Sequence, residues 1–108
     1  MSRVGIVTDS TSCLPPELIK NYGIRIVPVG LVIDGKLYRD TDLTNDEFWK
    51  LFYEAKDLPT TNAASPGDFA SAFTELGKST DSIVCIVVSK ALSATYEAAV
   101  QALSLIHI

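Results

Sequence analysis

The sequence has 108 residues, which fits one small domain and leaves no room for a multidomain machine or a repeat array. Hydrophobic residues make up 47% and charged ones 20%, with six Gly and five Pro, so disordered, collagen-like and low-complexity classes are excluded. Nine Lys and Arg against thirteen Asp and Glu give a net charge of -4, which leaves no cationic excess to neutralise nucleic-acid phosphates or hold an anionic bilayer.

Val4-Gly5-Ile6-Val7-Thr8 is a short apolar run closed by the turn and cap formers Asp9 to Ser12, the pattern of a buried strand and its loop. Pro15-Pro16-Glu17 opens a short helix carrying Leu18, Ile19 and Tyr22, and Gly23 caps it. Ile24 to Val29 predicts a second strand. Leu31-Val32-Ile33, Asp34-Gly35 and Lys36-Leu37-Tyr38 predict a hairpin with a primed turn, placed at a sheet edge. Thr44-Asn45-Asp46-Glu47 is a capping box before Phe48, Leu51 and Phe52, so a second helix is expected to run to about Lys56, its aromatic residues packed in the core.

Leu58 to Ala64 has no periodicity and reads as a loop. Ser65-Pro66-Gly67-Asp68 then gives an N-cap serine, a first-turn proline and a first-turn acid for a third helix bearing Phe69, Phe73 and Leu76. Ser82 to Val88 is apolar on both faces, as a central parallel strand should be, and Leu92 to Leu103 reads as a fourth helix after the polar turn Ser89-Lys90-Ala91. The order βαβ(ββ)ααβα defines an α/β fold with a mostly parallel sheet flanked by helices. Residues 1-103 form this domain, and the uncapped apolar stretch 104-108 reads as a doubtful tail on a chain cut short.

Cys13 and Cys85 lack C-x-x-C spacing and the single histidine, His107, stands beside the C-terminus, so no metal site or disulfide framework is written here. Two free thiols point to a reducing compartment, and the first apolar run is too short for a signal core or a spanning helix, so the expected location is cytoplasmic, without stable membrane insertion. Nucleotide-binding and hydrolase motifs such as G-x-G-x-x-G and G-x-S-x-G are absent from the sequence.

Three hydroxyl-rich loops stand out: Thr8-Asp9-Ser10-Thr11, Thr60 to Ser65, and Ser89 to Thr95. In an open α/β sheet, ligands gather beyond the carboxyl ends of the strands, where helix N-termini direct free N–H groups at an anion, so a carboxylate or phosphate fits these loops. Each has a plainer reading. Thr8 to Thr11 also makes sense as a strand-to-helix turn, Ser65 is an N-cap, and Ser93 is a cap for the fourth helix. Asp40 and Asp42 read as part of a solvated loop rather than as a metal pair.

At these loops the chain resembles the DegV family of bacterial fatty-acid-binding proteins. The resemblance lies in Val4-Gly5-Ile6-Val7-Thr8-Asp9-Ser10-Thr11 with Leu14-Pro15-Pro16-Glu17, in Pro59 to Phe69 ending Ser65-Pro66-Gly67-Asp68-Phe69, and in Leu92-Ser93-Ala94-Thr95-Tyr96. It implies the N-terminal part of a carrier whose second domain is missing here. Such a carrier buries a long-chain fatty acid and presents its carboxylate to a separate fatty-acid kinase subunit, which makes an acyl phosphate for phospholipid metabolism. It implies no catalysis and no cofactor of its own. The carboxylate-binding residues of the family fall on Thr61 and Ser93, with Asp9, Ser10, Thr11, Asn62 and Thr95 as a supporting loop set. The sequence departs from the family pattern at Asn62 (Ser in the family), Ala64 (Pro) and Ala94 (Gly), and a methyl group at Ala94 is expected to crowd the ligand. The rival reading is an enzyme acting on a small phosphorylated or carboxylated metabolite at the same loops, with Asp9 as acid or base.

Overall fold

In the computed structural model, which describes residues 3–106, the chain runs β1 (Val4–Asp9), α1 (Pro16–Tyr22), β2 (Arg25–Val27), β3 (Gly30–Ile33), β4 (Lys36–Arg39), α2 (Asn45–Glu54), β5 (Thr60–Asn62), α3 (Pro66–Gly77), β6 (Ser82–Ile86) and α4 (Thr95–Ile106). Single 3-10 turns follow β1 and β4. His107 and the end of the expected tail lie outside the described residues.

Local chemistry accounts for most boundaries. Pro16 begins α1, and Gly23 at φ 61° ends it, its N–H donating to the Ile19 and Lys20 carbonyls. Asp34 and Gly35 both have positive φ, 48° and 79°, which is the primed turn that matches the twist of a two-residue hairpin. At α2 the Thr44 hydroxyl accepts from the Glu47 amide at 3.1 Å and the Glu47 carboxylate accepts from the Thr44 amide at 3.0 Å. At α3 the Ser65 hydroxyl accepts from the Asp68 amide at 3.1 Å.

The strands form two three-stranded sheets. One is parallel, in the order β2-β1-β6, with Val7 opposite Arg25 on one side and opposite Cys85 on the other. The second is antiparallel, in the order β4-β3-β5. The hairpin therefore does not continue the parallel sheet but makes a sheet of its own with β5. The segment expected to be a loop supplies β5, and all three of its residues are exposed, so no buried alternation marks the strand. Pairing of Thr60 and Thr61 with Val32 and Leu31 makes it one.

Further corrections follow from packing. The central strand is β1; β6 has one strand neighbour among the described residues, and its Val84 and Ile86 are about half exposed. An apolar run on both faces reports affinity for burial, and it does not say which strand lies beside it. Helix α2 ends at Glu54, short of Lys56, and buries none of its residues. Its aromatic rings pack edge-to-face on one another, Phe48 on Trp49 at 5.0 Å and Trp49 on Phe52 at 5.4 Å, instead of filling the core. Helix α4 starts at Thr95 rather than Leu92, because Ser89 closes a separate turn with the amides of Leu92 and Ser93, and it continues past Leu103 to Ile106. No described helix is long and apolar enough to cross a membrane.

The core lies where α3 is packed between the parallel sheet and α4. Phe69, Phe73 and Leu76 of α3 meet Val7, Val27, Ala98, Ala99 and Ala102. Alanines along α4 let the two helices approach closely. Gly5 permits a similar approach of α3 to β1: a Cβ there would stand 2.5 Å from Leu76 Cδ2 and 2.6 Å from its Cγ. Because Leu76 is buried, Gly5→Ala is expected to overpack the site and lower stability by about 1 to 3 kcal/mol. Urea denaturation of the natural full-length protein measures this, and an unchanged midpoint would mean that Leu76 repacks freely.

Candidate functional site

Asp9 closes β1, and its side chain is buried against the start of the next turn. One carboxylate oxygen accepts from the Thr11 amide at 2.8 Å and from the Thr11 hydroxyl; the other accepts from the Val88 amide at 2.8 Å. Both oxygens are thus engaged by the protein, which is how a carboxylate is tolerated at 1% exposure. The contact to Val88 fixes the chain just after β6, on its way to Ser93. Beside it, the Ser10 hydroxyl accepts from the Val29 amide at 3.0 Å, tying the same turn to the segment between β2 and β3. Asp9, Ser10 and Thr11 are therefore joined to the fold, and Asp9 is buried with both oxygens hydrogen-bonded to the chain rather than presented to solvent.

The other two loops meet at Thr95. Its hydroxyl, completely buried, accepts from the Ala64 amide at 3.3 Å and lies 3.0 Å from the Ser93 hydroxyl, which also accepts from the Thr95 amide at 3.1 Å. A residue two positions after β5 is thereby held against the N-terminus of α4. Thr61 and Asn62, at the exposed end of β5, are brought to the same end of the molecule as the partly exposed Ser93. Three extended residues span at most about 10 Å, so Thr61 lies within that reach of the Ala64–Thr95 contact. Ser93 does serve its own chain as a cap, and its partial exposure leaves it accessible to a ligand as well. Ala94 is exposed and its φ is not positive, so an alanine adopts this backbone without strain.

The backbone partners of the site, the amides of Ala64 and Val88, were not legible in the sequence, since no side-chain pattern encodes them. Arg39 is a further residue that the motifs did not single out. It faces Gly30, which faces Asn62 across β3, and its guanidinium sits 3.3 Å from the Asp68 carboxylate. That pair is solvated, and its contribution to stability is small. Asp40 and Asp42 lie in a short turn, and among the described residues no three metal-ligating side chains cluster. An apolar groove of about 570 Å³ runs between α3, the core-facing side of β6 and α4, lined by residues such as Phe73, Val87, Tyr96 and Leu103; Thr61 and Ser93 are not in its lining.

The comparisons decide the family. The model described as "Uncharacterised protein, DegV family" matches residues 3–107. This chain belongs to the DegV family. A DegV domain-containing protein of Caldanaerobacter subterraneus subsp. tengcongensis is 46% identical over 101 residues, covering 93% of this chain and 36% of that protein. Among solved structures, a DegV family protein from Thermus thermophilus, described by its fatty acid binding, superposes with a TM-score of 0.83 at 34% identity, covering 97% of this chain and 38% of its own. DegV of Bacillus subtilis, described as a fatty acid binding protein, gives 0.87 at 30% identity with the same coverages. The chain thus spans little more than a third of the DegV proteins it matches.

Cys85 of this DegV chain faces the core beside Asp9. Burial, and secondarily the Asp9 charge, push its thiol up from 9.0 to about 11. The folded protein keeps this proton while the unfolded chain releases it, so stability is full below about pH 9 and falls as pH rises toward 11. At pH 8 the native thiolate fraction is roughly a hundredfold below that of the unfolded chain. Iodoacetamide is accordingly expected to label Cys85 far more slowly in the native full-length protein than in urea, by peptide mapping, and equal rates would refute the shift.

Proposed function

We propose that this chain is the N-terminal α/β part of a non-catalytic fatty-acid carrier. It holds the carboxylate of a long-chain fatty acid with Thr61 and Ser93 and presents it to a separate cytoplasmic fatty-acid kinase, which forms the acyl phosphate. The observation that carries this reading is the Ala64–Thr95 hydrogen bond, which gathers the Thr61 and Ser93 loops at one end of the fold. Fatty-acid binding in the DegV proteins of T. thermophilus and B. subtilis supports the ligand class. The rival enzyme reading is weakened by the burial of Asp9, whose two oxygens face Thr11 and Val88 rather than an open site.

Magnitudes divide the labour. Burying an acyl chain at roughly 0.8 kcal/mol per CH₂ supplies on the order of 10 kcal/mol, while one hydrogen bond to a charged group nets about 1.5 to 3 kcal/mol. The tail therefore supplies affinity, and the hydroxyls fix orientation and distinguish an acid from a neutral lipid.

Thr61→Ala and Ser93→Ala, each made in the natural full-length protein, are expected to weaken fatty-acid binding by about 1 to 3 kcal/mol, Thr61→Ala with little change in thermal stability and Ser93→Ala with a modest loss of it, since the Thr95 amide and buried hydroxyl lose their partner. Binding isotherms beside thermal melts test this. A Ser93→Ala protein that melts early but binds unchanged would reduce Ser93 to a cap and remove it from the site.

A further inference from the structure

We infer that Thr95 is a positioning residue that sets the direction of the Ser93 hydroxyl, making Ser93 a dedicated hydrogen-bond donor toward a carboxylate. This inference rests on the carrier reading and extends it to a residue that need not touch the ligand. A threonine hydroxyl has one proton and two lone pairs. One lone pair of Thr95 Oγ1 takes the Ala64 N–H, and among the described residues its remaining hydrogen-bond partner is Ser93 Oγ. Thr95 is completely buried, so if Ser93 donated to Thr95, the Thr95 proton would be a buried donor with no acceptor, an arrangement proteins avoid. The proton therefore lies on the Thr95 side and points to Ser93.

Ser93 Oγ then accepts twice, from the Thr95 N–H and from the Thr95 O–H, and both of its lone pairs are used. What remains to Ser93 is its own proton, on a side chain that is partly exposed. The chain of donors runs from the Ala64 amide through Thr95 to Ser93 and outward, each bond polarising the next. Such a terminus suits an anionic acceptor and offers nothing to a headgroup that must itself donate.

The test uses the natural full-length protein, palmitate and methyl palmitate. Thr95→Val, close in shape but without the hydroxyl, is expected to weaken palmitate binding about five- to tenfold and methyl palmitate binding much less, since the lost bond is charge-assisted for the acid alone. Thr95→Ser is expected to restore palmitate binding. In a Ser93→Ala background, Thr95→Val is expected to cause a smaller loss than in the wild type, because the part of its effect that runs through Ser93 is already gone and only the Ala64 anchor of the Thr61 loop is left to lose. Should Thr95→Val fail to fold, hydroxyl-proton NMR of the wild type decides: the Thr95 proton is protected from water exchange, and the Ser93 proton becomes protected when palmitate is added. Wild-type protein that does not bind palmitate overturns the carrier reading and this inference together. Palmitate binding that is unaffected by Thr95→Val, additive losses in the double variant, or a protected Ser93 proton beside an exchanging Thr95 proton overturns this inference and leaves the carrier reading intact.

Discussion

The buried carboxylate of Asp9 sets the geometry on which the site depends. Burying a charge is costly unless hydrogen bonds replace its water, so the chain around Asp9 must supply donors in fixed places. Thr11 provides them locally, and the Val88 amide provides one from just beyond the carboxyl end of the neighbouring strand. This last bond links residues 9 and 88, joining the carboxyl ends of two parallel strands, β1 and β6, and it commits the following segment to the turn that ends in Ser93. Loss of any of these donors would strand a charge in the core, so the loops are held by a penalty as much as by an attraction.

A second buried polar group, Thr95, closes the arrangement. Asp9 directs the β6 exit toward α4, and the Thr95 hydroxyl fastens the β5 exit to the start of α4 through the Ala64 amide. The two small sheets, one parallel and one antiparallel, are thus stitched together at the end where helices α3 and α4 begin. Ala64 supplies this bond through its backbone, and a proline at that position would have no N–H to give Thr95. Ala94 sits on ordinary backbone and is exposed, so its methyl group does not strain the turn.

Polar and apolar duties are separated in space. The hydroxyl loops gather at the strand ends, while an apolar groove follows α3, β6 and α4 and has neither Thr61 nor Ser93 in its lining. Aromatic residues of α2 stand outside the core and pack edge-to-face on one another. The core itself is small and depends on close approach, which is why Gly5 and the alanines of α4 matter more than their size suggests.

Elements that signal themselves locally were legible in the sequence. The capping box at Thr44 and Glu47, the Ser65 cap, the Gly23 stop and the Asp34-Gly35 turn each depend on residues within a few positions, and each stands in the structure as read. Phe69, Phe73 and Leu76 were readable as a buried face because helical periodicity is also local. The motifs of the three hydroxyl loops likewise sufficed to recognise the DegV family. Tertiary structure alone decided that β1 and not β6 is central, that Thr60–Asn62 is a strand, that the hairpin founds a second sheet, and that the α2 aromatics stay outside the core. Those outcomes depend on partners far away in the chain. The same holds for the site: Asp9 and Thr95 were visible as residue types, but their partners are the backbone amides of Val88 and Ala64, and every residue except proline has such an amide, so only the folded chain could select them.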